Sequence, residues 1–169
     1  MNIGNITISG SKLADKIVVE EDTLAARVAA LARPLVFTNG VFDILHRGHV
    51  SYIHEARRLG ASLIIGLNSD CSARTLGKGP GRPLNNEMDR ALVIAALESV
   101  SLVAVFDEST PVRLLHQVRP DIYVKGGDYR IEELDETELI RSWGGIALAI
   151  PFVEGYSTTQ LVRRICQPV

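Results

Sequence analysis

The chain has 169 residues, a formal net charge of −2 and a composition that is 46% hydrophobic. This length suits one domain with a sizeable core, and the charge argues against a nucleic-acid-binding protein, which usually carries a basic excess. Cys71 and Cys166 lack the spacing of a metal site, so we expect reduced thiols rather than a disulfide framework. Because no signal peptide and no apolar run of about 20 residues is present, we expect a cytoplasmic protein.

Short apolar runs alternate with helical patterns along the chain. The runs are continuous, which predicts strands buried on both faces of a parallel sheet. They cover residues 35–38, 63–67, 102–106, 122–124 and 146–150. Apolar residues at helical spacing predict helices over residues 22–32, 48–59, 86–98, 111–118, 135–143 and 157–166. We therefore predict a doubly wound α/β sandwich with a Rossmann-like parallel sheet and right-handed crossovers.

Two segments depart from this alternation. Residues 1–21 are predicted to be an N-terminal extension, either loose or used in contacts within a homo-oligomer, and residues 22–169 to be the domain. Residues 69–84 are rich in glycine and proline near their end. That composition predicts a mobile loop, and we expect it to close over a bound nucleotide as a lid.

The first predicted strand leads into a turn that contains two histidines. Ligands of open α/β sheets bind beyond the carboxyl ends of strands, and His46 and His49 lie there, at the start of a predicted helix. Their spacing places the rings about 60° apart around the helix axis, so both can reach one ligand. Gly48 allows close approach to the backbone, and the helix N-terminus favours phosphate. The alternatives are a pair that caps the helix or half of a metal site, although no Cys, Asp or Glu cluster completes a zinc site.

A second candidate phosphate site precedes the last predicted helix. The segment reads Gly155, Tyr156, Ser157, Thr158, Thr159. Ser and Thr are preferred helix caps, so capping alone would explain one of them. Three consecutive hydroxyl residues exceed what one cap requires, and they could donate to a phosphate chain with help from the helix dipole. The two helix starts together favour a polyphosphate that spans both.

Three basic residues are further candidate ligands. Lys78 lies among the glycines of the predicted loop, although a solvated lysine is the simpler interpretation of this residue taken alone. Lys125 follows the fourth predicted strand, where Gly127 permits close backbone approach. Asp128 either binds a ribose or sugar hydroxyl or begins a turn. Arg90, on the third predicted helix, is either a surface charge or a phosphate ligand.

Two patterns near the ends of the predicted domain carry a family resemblance. Residues 40–49 read Gly-x-Phe-Asp-x-x-His-x-Gly-His, and residues 155–159 read Gly-x-Ser-Thr-Thr. In this order, within one α/β domain, they resemble the cytidylyltransferase-like family of nucleotidyltransferases. The resemblance spans residues 33–166, nearly the whole chain. It implies a Rossmann-like fold and transfer of a nucleoside monophosphate from a triphosphate to an alcohol or sugar phosphate.

Three segments resemble the members of this family that use ATP and a heptose 1-phosphate. They are residues 38–43, 124–129 and 153–159. The resemblance implies D-glycero-β-D-manno-heptose 1-phosphate as the acceptor, with ADP-heptose for lipopolysaccharide and pyrophosphate as products. It also adds the following residues to the predicted nucleotide-binding set: Thr38, Asn39, Gly40 and Phe42.

The resemblance further implies a division of roles. A phosphate oxygen of the sugar would attack the α-phosphorus of ATP, with pyrophosphate leaving in line. His46 and His49 would stabilise the transition state, Lys78 would hold phosphate oxygens, and the hydroxyls at 157–159 would bind the leaving phosphates. Mg²⁺ would offset the triphosphate charge. Because only 34 residues precede the first predicted strand, we expect a separate sugar kinase to supply the heptose 1-phosphate.

One departure from the family patterns bears on the acceptor. Glycerol-3-phosphate cytidylyltransferases resemble Arg-Thr-x-Gly-Ile-Ser-Thr-Thr, whereas Phe152 occupies the arginine position here. The alternatives are a cytidylyltransferase for another alcohol phosphate, or a nucleotide-binding module without activity, against which the intact His46, His49 and Lys78 argue. A dinucleotide-dependent oxidoreductase and a P-loop kinase are disfavoured, because the glycine fingerprint and the Walker spacing are both missing.

Overall fold

A parallel six-stranded sheet forms the centre of the fold. The computed structural model describes residues 12–77, 79, 81–127, 130–151 and 153–167. The strands are β1 (Ile17–Val18), β2 (Leu35–Gly40), β3 (Ser62–Asn68), β4 (Leu102–Phe106), β5 (Ile122–Gly126) and β6 (Ile146–Ile150). Their order across the sheet is β1-β4-β3-β2-β5-β6, with parallel pairing throughout. The predicted doubly wound parallel sheet is confirmed.

Helices cover both faces of this sheet. They are α1 (Glu21–Ala29), α2 (Arg47–Arg58), α3 (Asp70–Thr75), α4 (Glu87–Ala95), α5 (Val112–Val118), α6 (Asp135–Ser142) and α7 (Thr158–Ile165), with 3₁₀ turns at Ala14–Lys16 and Ile131–Glu133. The six predicted helices are all present, with ends that differ by a few residues. In the part of the chain that the structure describes, no helix has both the length and the apolarity needed to span a membrane.

The predicted loop over 69–84 begins with a helix, so that prediction was wrong for its first half. Helix α3 starts after Ser69, whose Oγ accepts a hydrogen bond from the Ser72 N–H at 3.1 Å. This is an ordinary serine N-cap. The helix is only six residues long, too short to give a periodic apolar signal.

The predicted extension over 1–21 also contributes to the sheet. Ile17 pairs with Val103 and Val18 pairs with Ala104, which makes β1 the edge strand beside β4. The sheet therefore starts earlier than the predicted domain, because a strand of two residues has no readable alternation. Residues 1–11 lie outside the described part of the chain.

The core has one layer on each face of the sheet. Helices α2 and α4 pack Ile53 and Ile94 on one face, and α5 and α6 pack Leu115 and Ile140 on the other. Strand β3 is buried along its whole length, as the continuous apolar run requires. Strand β2 lies between β3 and β5, where the chain reverses its direction of winding. The carboxyl end of β2 is thus the switch point at which α/β sheets bind ligands.

Candidate active site

Two cavities adjoin at the carboxyl end of β2. The first cavity has a volume of about 340 Å³ and the second about 390 Å³. Val41, Phe42 and His49 line both of them. A group bound in one cavity can therefore meet a group bound in the other at the His49 ring.

The predicted site residues divide between these cavities. The first contains Phe42, His46, Gly48, His49, Tyr156, Ser157, Thr158 and Thr159. The second contains Asn39, Gly40, Phe42, His49 and Lys125. The structure thus brings together two motifs that lie more than a hundred residues apart in sequence. Lys78 and Asp128 lie outside the described residues, and their predicted roles stay predictions.

His46 and His49 form a stacked pair at the start of α2. Their ring centroids are 3.8 Å apart, with an angle of 16° between the planes. His46 is the N-cap of α2, and its Nδ1 accepts from the His49 N–H at 3.4 Å. Burial lowers the pKa of His46 below the ordinary 6.5, so the ring is neutral at pH 7. An accepting Nδ1 leaves the proton on Nε2, which can donate to a ligand oxygen.

Phe42 fixes the position of the His49 ring. The two rings make an edge contact with centroids 5.3 Å apart and an interplanar angle of 67°. Phe42 adopts the left-handed region at φ 47°, which is uncommon for a bulky residue and concentrates at functional sites. A Cβ at Gly40 would lie 3.0 Å from the Phe42 ring. The turn is therefore built so that Phe42 folds back over Gly40 and supports His49.

The start of α7 closes the other side of the first cavity. Ser157 Oγ accepts from the Gln160 N–H at 3.1 Å, so the capping interpretation of this serine is correct. Thr158 Oγ1 donates to the Ile44 carbonyl at 3.5 Å. This contact joins the β6–α7 segment to the β2–α2 turn, and it brings the N-termini of two helices to one cavity. Such N-termini attract anions.

The second cavity is lined by a cationic side chain and by several polar groups. Lys125 Nζ donates to Asn39 Oδ1 at 3.1 Å and to the Tyr123 hydroxyl at 3.3 Å. Residues that the sequence reasoning missed complete the lining. Among them are Tyr52, Asn68, Ser109, Thr110 and Glu136. A small, polar, charged ligand such as a sugar phosphate suits this lining.

The cytidylyltransferase-like family matches residues 37–164, most of the chain. This chain belongs to the cytidylyltransferase-like family.

Two relatives of this cytidylyltransferase-like chain differ greatly in length. D-beta-D-heptose 1-phosphate adenylyltransferase of Bordetella bronchiseptica is 52% identical over 95% of this chain and 99% of its own length. The bifunctional protein HldE of Magnetococcus marinus is 46% identical over 94% of this chain. The chain spans 34% of that longer relative.

A solved structure with sequence similarity has the same architecture. It is the lipopolysaccharide core biosynthesis protein of Thermoplasma volcanium, with a TM-score of 0.60 and 30% identity. The match covers 73% of this chain and 98% of that one. The similarity supports the Rossmann-like assignment of this cytidylyltransferase-like chain.

Arg90 lines neither cavity of this cytidylyltransferase-like protein. Its side chain is 0% exposed. The Nη1 group donates to the Val41 carbonyl at 2.6 Å and to the Asn68 carbonyl at 2.8 Å. Nη2 donates to Asp70 Oδ1 at 2.7 Å, and Nε to the Asn85 carbonyl at 3.0 Å. Neither a surface charge nor a phosphate ligand describes this residue, because its donors cross-link the turns beneath the site.

Thr38 and Gly127, two other predicted ligands, line neither cavity. The Thr38 side chain is fully buried, and its hydroxyl shares a hydrogen bond of 2.5 Å with the Tyr52 hydroxyl. Gly127 has φ 121°, and its N–H donates to the Ile150 carbonyl at 2.9 Å. Both residues hold the strand ends in place, and their contact with a nucleotide stays a prediction.

Asp43 and Arg82 are functional candidates that the sequence reasoning missed. Asp43 belongs to the first pattern and Arg82 lies in the predicted loop over 69–84, but the local sequence indicates no role for either residue. Arg82 Nη1 donates to Asp43 Oδ2 at 2.6 Å. Burial raises the pKa of Asp43, but the hydrogen bonds from Arg82, Asn85 and Leu84 hold that pKa below its usual range. The pair is therefore ionised at pH 7, and both residues line the first cavity.

We expect Gly48→Ala to reduce activity sharply in this cytidylyltransferase-like enzyme. A Cβ at this position would lie 3.0 Å from Tyr156 Cβ and 3.1 Å from the His46 ring, so both walls of the first cavity must move. A displacement of about 1 Å can cost about a hundredfold in rate, so a shift of a few tenths of an ångström in both walls should cost roughly tenfold. The measurement is kcat/KM for ATP beside the melting temperature.

The matched control for Gly48→Ala is Val50→Ala in the same helix. Val50 is 42% exposed and lies outside the lining of both cavities, so its replacement should leave kcat/KM nearly unchanged. Gly→Ala inside a helix ordinarily stabilises it by about 1 kcal/mol. A Gly48→Ala variant that is more stable and fully active would contradict the close-approach argument.

Proposed function

We propose that this nucleotidyltransferase transfers AMP from ATP to D-glycero-β-D-manno-heptose 1-phosphate, releasing pyrophosphate. The observation that carries the proposal is the pair of cavities that adjoin at His49, one lined by the starts of α2 and α7 and the other by Lys125. One cavity suits a polyphosphate and the other a sugar phosphate. The choice of sugar and base is supported by the 52% identity, over nearly the full length of both chains, to a heptose 1-phosphate adenylyltransferase. The ADP-heptose would serve lipopolysaccharide synthesis.

The triphosphate of ATP would occupy the first cavity. The N-termini of α2 and α7 present backbone N–H groups there, and neutral His46 can donate through Nε2. Such groups are fixed before the reaction begins, so they stabilise developing charge without reorganising. The hydroxyls at 157–159 would hold the leaving phosphates. Lys78 is proposed as an additional cation on the same phosphates.

The heptose 1-phosphate would occupy the second cavity, with its phosphate directed toward His49. Lys125 lies there within hydrogen-bond distance of Asn39, and it would hold the acceptor phosphate. One acceptor oxygen forms a new bond to the α-phosphorus of ATP, while the bond from that phosphorus to the β-phosphate bridging oxygen breaks. Pyrophosphate carries away the electron pair. His49 would stabilise the negative charge that builds up on the α-phosphate oxygens.

Mg²⁺ is proposed as part of the ATP substrate, because triphosphates bind this ion through their own oxygens and water. Within the described residues there is no group of three or more His, Cys, Asp or Glu side chains that could hold a metal.

A sugar kinase must supply the heptose 1-phosphate. We also propose that the protein acts in the cytoplasm, where ATP is available, and that it forms a homo-oligomer.

The test is a matrix of purified protein, each nucleoside triphosphate and several sugar phosphates, with pyrophosphate release as the signal. We expect release with ATP and the β-anomer of the heptose 1-phosphate, and a product with the mass of ADP-heptose. Reactions without acceptor correct for hydrolysis. A clear preference for CTP, or for glycerol 3-phosphate as acceptor, would refute the proposal.

A further inference from the structure

Arg82 places a permanent positive charge in the first cavity. The basic side chains in that lining, over the residues the structure describes, are Arg82, His46 and His49. His46 is neutral at pH 7 because burial lowers its pKa, whereas an arginine stays protonated at any ordinary pH. The Arg82 side chain is 18% exposed, so it is largely enclosed yet still open to the cavity.

Asp43 holds the Arg82 guanidinium in place without using all of its N–H donors. Their hydrogen bond, Nη1 to Oδ2 at 2.6 Å, is the one side-chain hydrogen bond that this guanidinium makes among the described residues. A guanidinium has several further N–H groups, which leaves donors for a ligand. Arg90 provides the contrast, because Nε and both Nη atoms are engaged and its side chain is fully buried.

The Asp43 carboxylate accepts hydrogen bonds from several donors. Oδ1 accepts from the Leu84 N–H at 2.7 Å and from the Asn85 N–H at 3.0 Å. Asn85 Nδ2 donates to the Asp43 carbonyl at 2.7 Å, so the segment after Arg82 is fastened to the turn that leads to His46. The carboxylate is thus stabilised by the backbone as well as by Arg82. The positive charge of Arg82 is only partly neutralised.

We propose that Arg82 binds phosphate oxygens of the nucleotide triphosphate in the first cavity, held in position by Asp43. Arginine suits this role because its planar donors match phosphate oxygens in pairs. The identity of the nucleotide rests on the proposed function, but the recognition of a phosphate chain does not. Asp43 is a positioning residue in this arrangement, since it acts through Arg82.

The test measures binding of inorganic tripolyphosphate, ATP and adenosine to the wild type and to Arg82→Ala. We expect Arg82→Ala to bind tripolyphosphate and ATP about 10- to 100-fold more weakly, the scale for a hydrogen bond to a charged group. Adenosine has no phosphate, so its affinity should not change. In turnover assays KM for ATP should rise more than kcat falls.

Two further variants keep the result interpretable. Arg82→Gln can still donate an amide N–H to Asp43 but has no charge, so it should also lose tripolyphosphate affinity while keeping its melting temperature. Arg74→Ala removes a nearby arginine that is 64% exposed and outside the cavity lining, and it should bind tripolyphosphate as the wild type does.

Three results would overturn the inference. The first is a tripolyphosphate affinity that differs by no more than about twofold between the wild type and a folded Arg82→Ala or Arg82→Gln variant. A wild type that does not bind tripolyphosphate counts as the same result. The second is an equal loss in Arg74→Ala, which would mean unspecific attraction. The third is an equal loss for adenosine, which would mean a structural role. Failure of adenylyl transfer to the heptose 1-phosphate, with the Arg82 effect intact, would reject only the proposed function.

Discussion

Replacing His49 with alanine should lower kcat by about 10²–10³, the scale for losing one preorganised electrostatic donor. The ring lies where the two cavities adjoin, so it is placed to act on the phosphate that is transferred. ATP affinity should fall much less, because the contacts to the other phosphates remain. His46 is a less clean target, since it also caps α2 and its loss would cost about 1 kcal/mol of stability.

The control for His49→Ala is His54→Ala on the same helix. His54 is exposed and lies in neither cavity, so its replacement should keep kcat within about twofold of the wild-type value. Melting temperature and turnover are measured on the same preparations. If His49→Ala stays folded with wild-type kcat, the catalytic role of this histidine is excluded. A lower melting temperature with normal turnover would leave it only a packing role against Phe42.

Arg90→Ala should lower the free energy of unfolding by about 3–5 kcal/mol, the range for removing one partner of a buried ion pair. The substitution leaves Asp70 without its buried partner and removes the donors to the carbonyls of Val41, Asn68 and Asn85. Each of those turns carries part of the site. Denaturant unfolding followed by circular dichroism measures the change.

A surface arginine provides the comparison for Arg90→Ala. Arg58 is 68% exposed and pairs with Glu55 on the same helix, and exposed pairs of this kind contribute about 0–1 kcal/mol. Arg58→Ala should therefore unfold almost as the wild type does. Normal stability of Arg90→Ala together with weak ATP binding would restore the interpretation of Arg90 as a phosphate ligand.

The strands and most helices could be predicted from the sequence because their signals are local. A strand buried on both faces needs a continuous apolar run, and β3 and β4 have one along their length. The two candidate phosphate motifs were also readable, because a ligand at a helix N-terminus requires particular residues at fixed spacing there. His46, Gly48 and His49 line the first cavity together, and their binding to phosphate stays a prediction.

The sequence could not assign the residues whose role depends on distant partners. Arg90 lies 49 residues from Val41, whose carbonyl it binds, and Arg82 lies 39 residues from Asp43. A charged residue on a helix has the same local pattern whether it faces solvent, a ligand or buried carbonyls. Only the packing of α4 against the sheet distinguishes these cases for Arg90.

The class of fold, the family and the two helix starts beside the first cavity could all be predicted without a structure, since each depends on residues adjacent in the chain. The tertiary structure alone decided the second cavity, whose polar lining comes from separate segments such as Asn39, Ser109, Lys125 and Glu136. It also decided which arginine lines the first cavity. Arg82 and Arg90 differ in the number of protein acceptors within reach, and that number is set only when the turns around β2, β3 and α4 pack together.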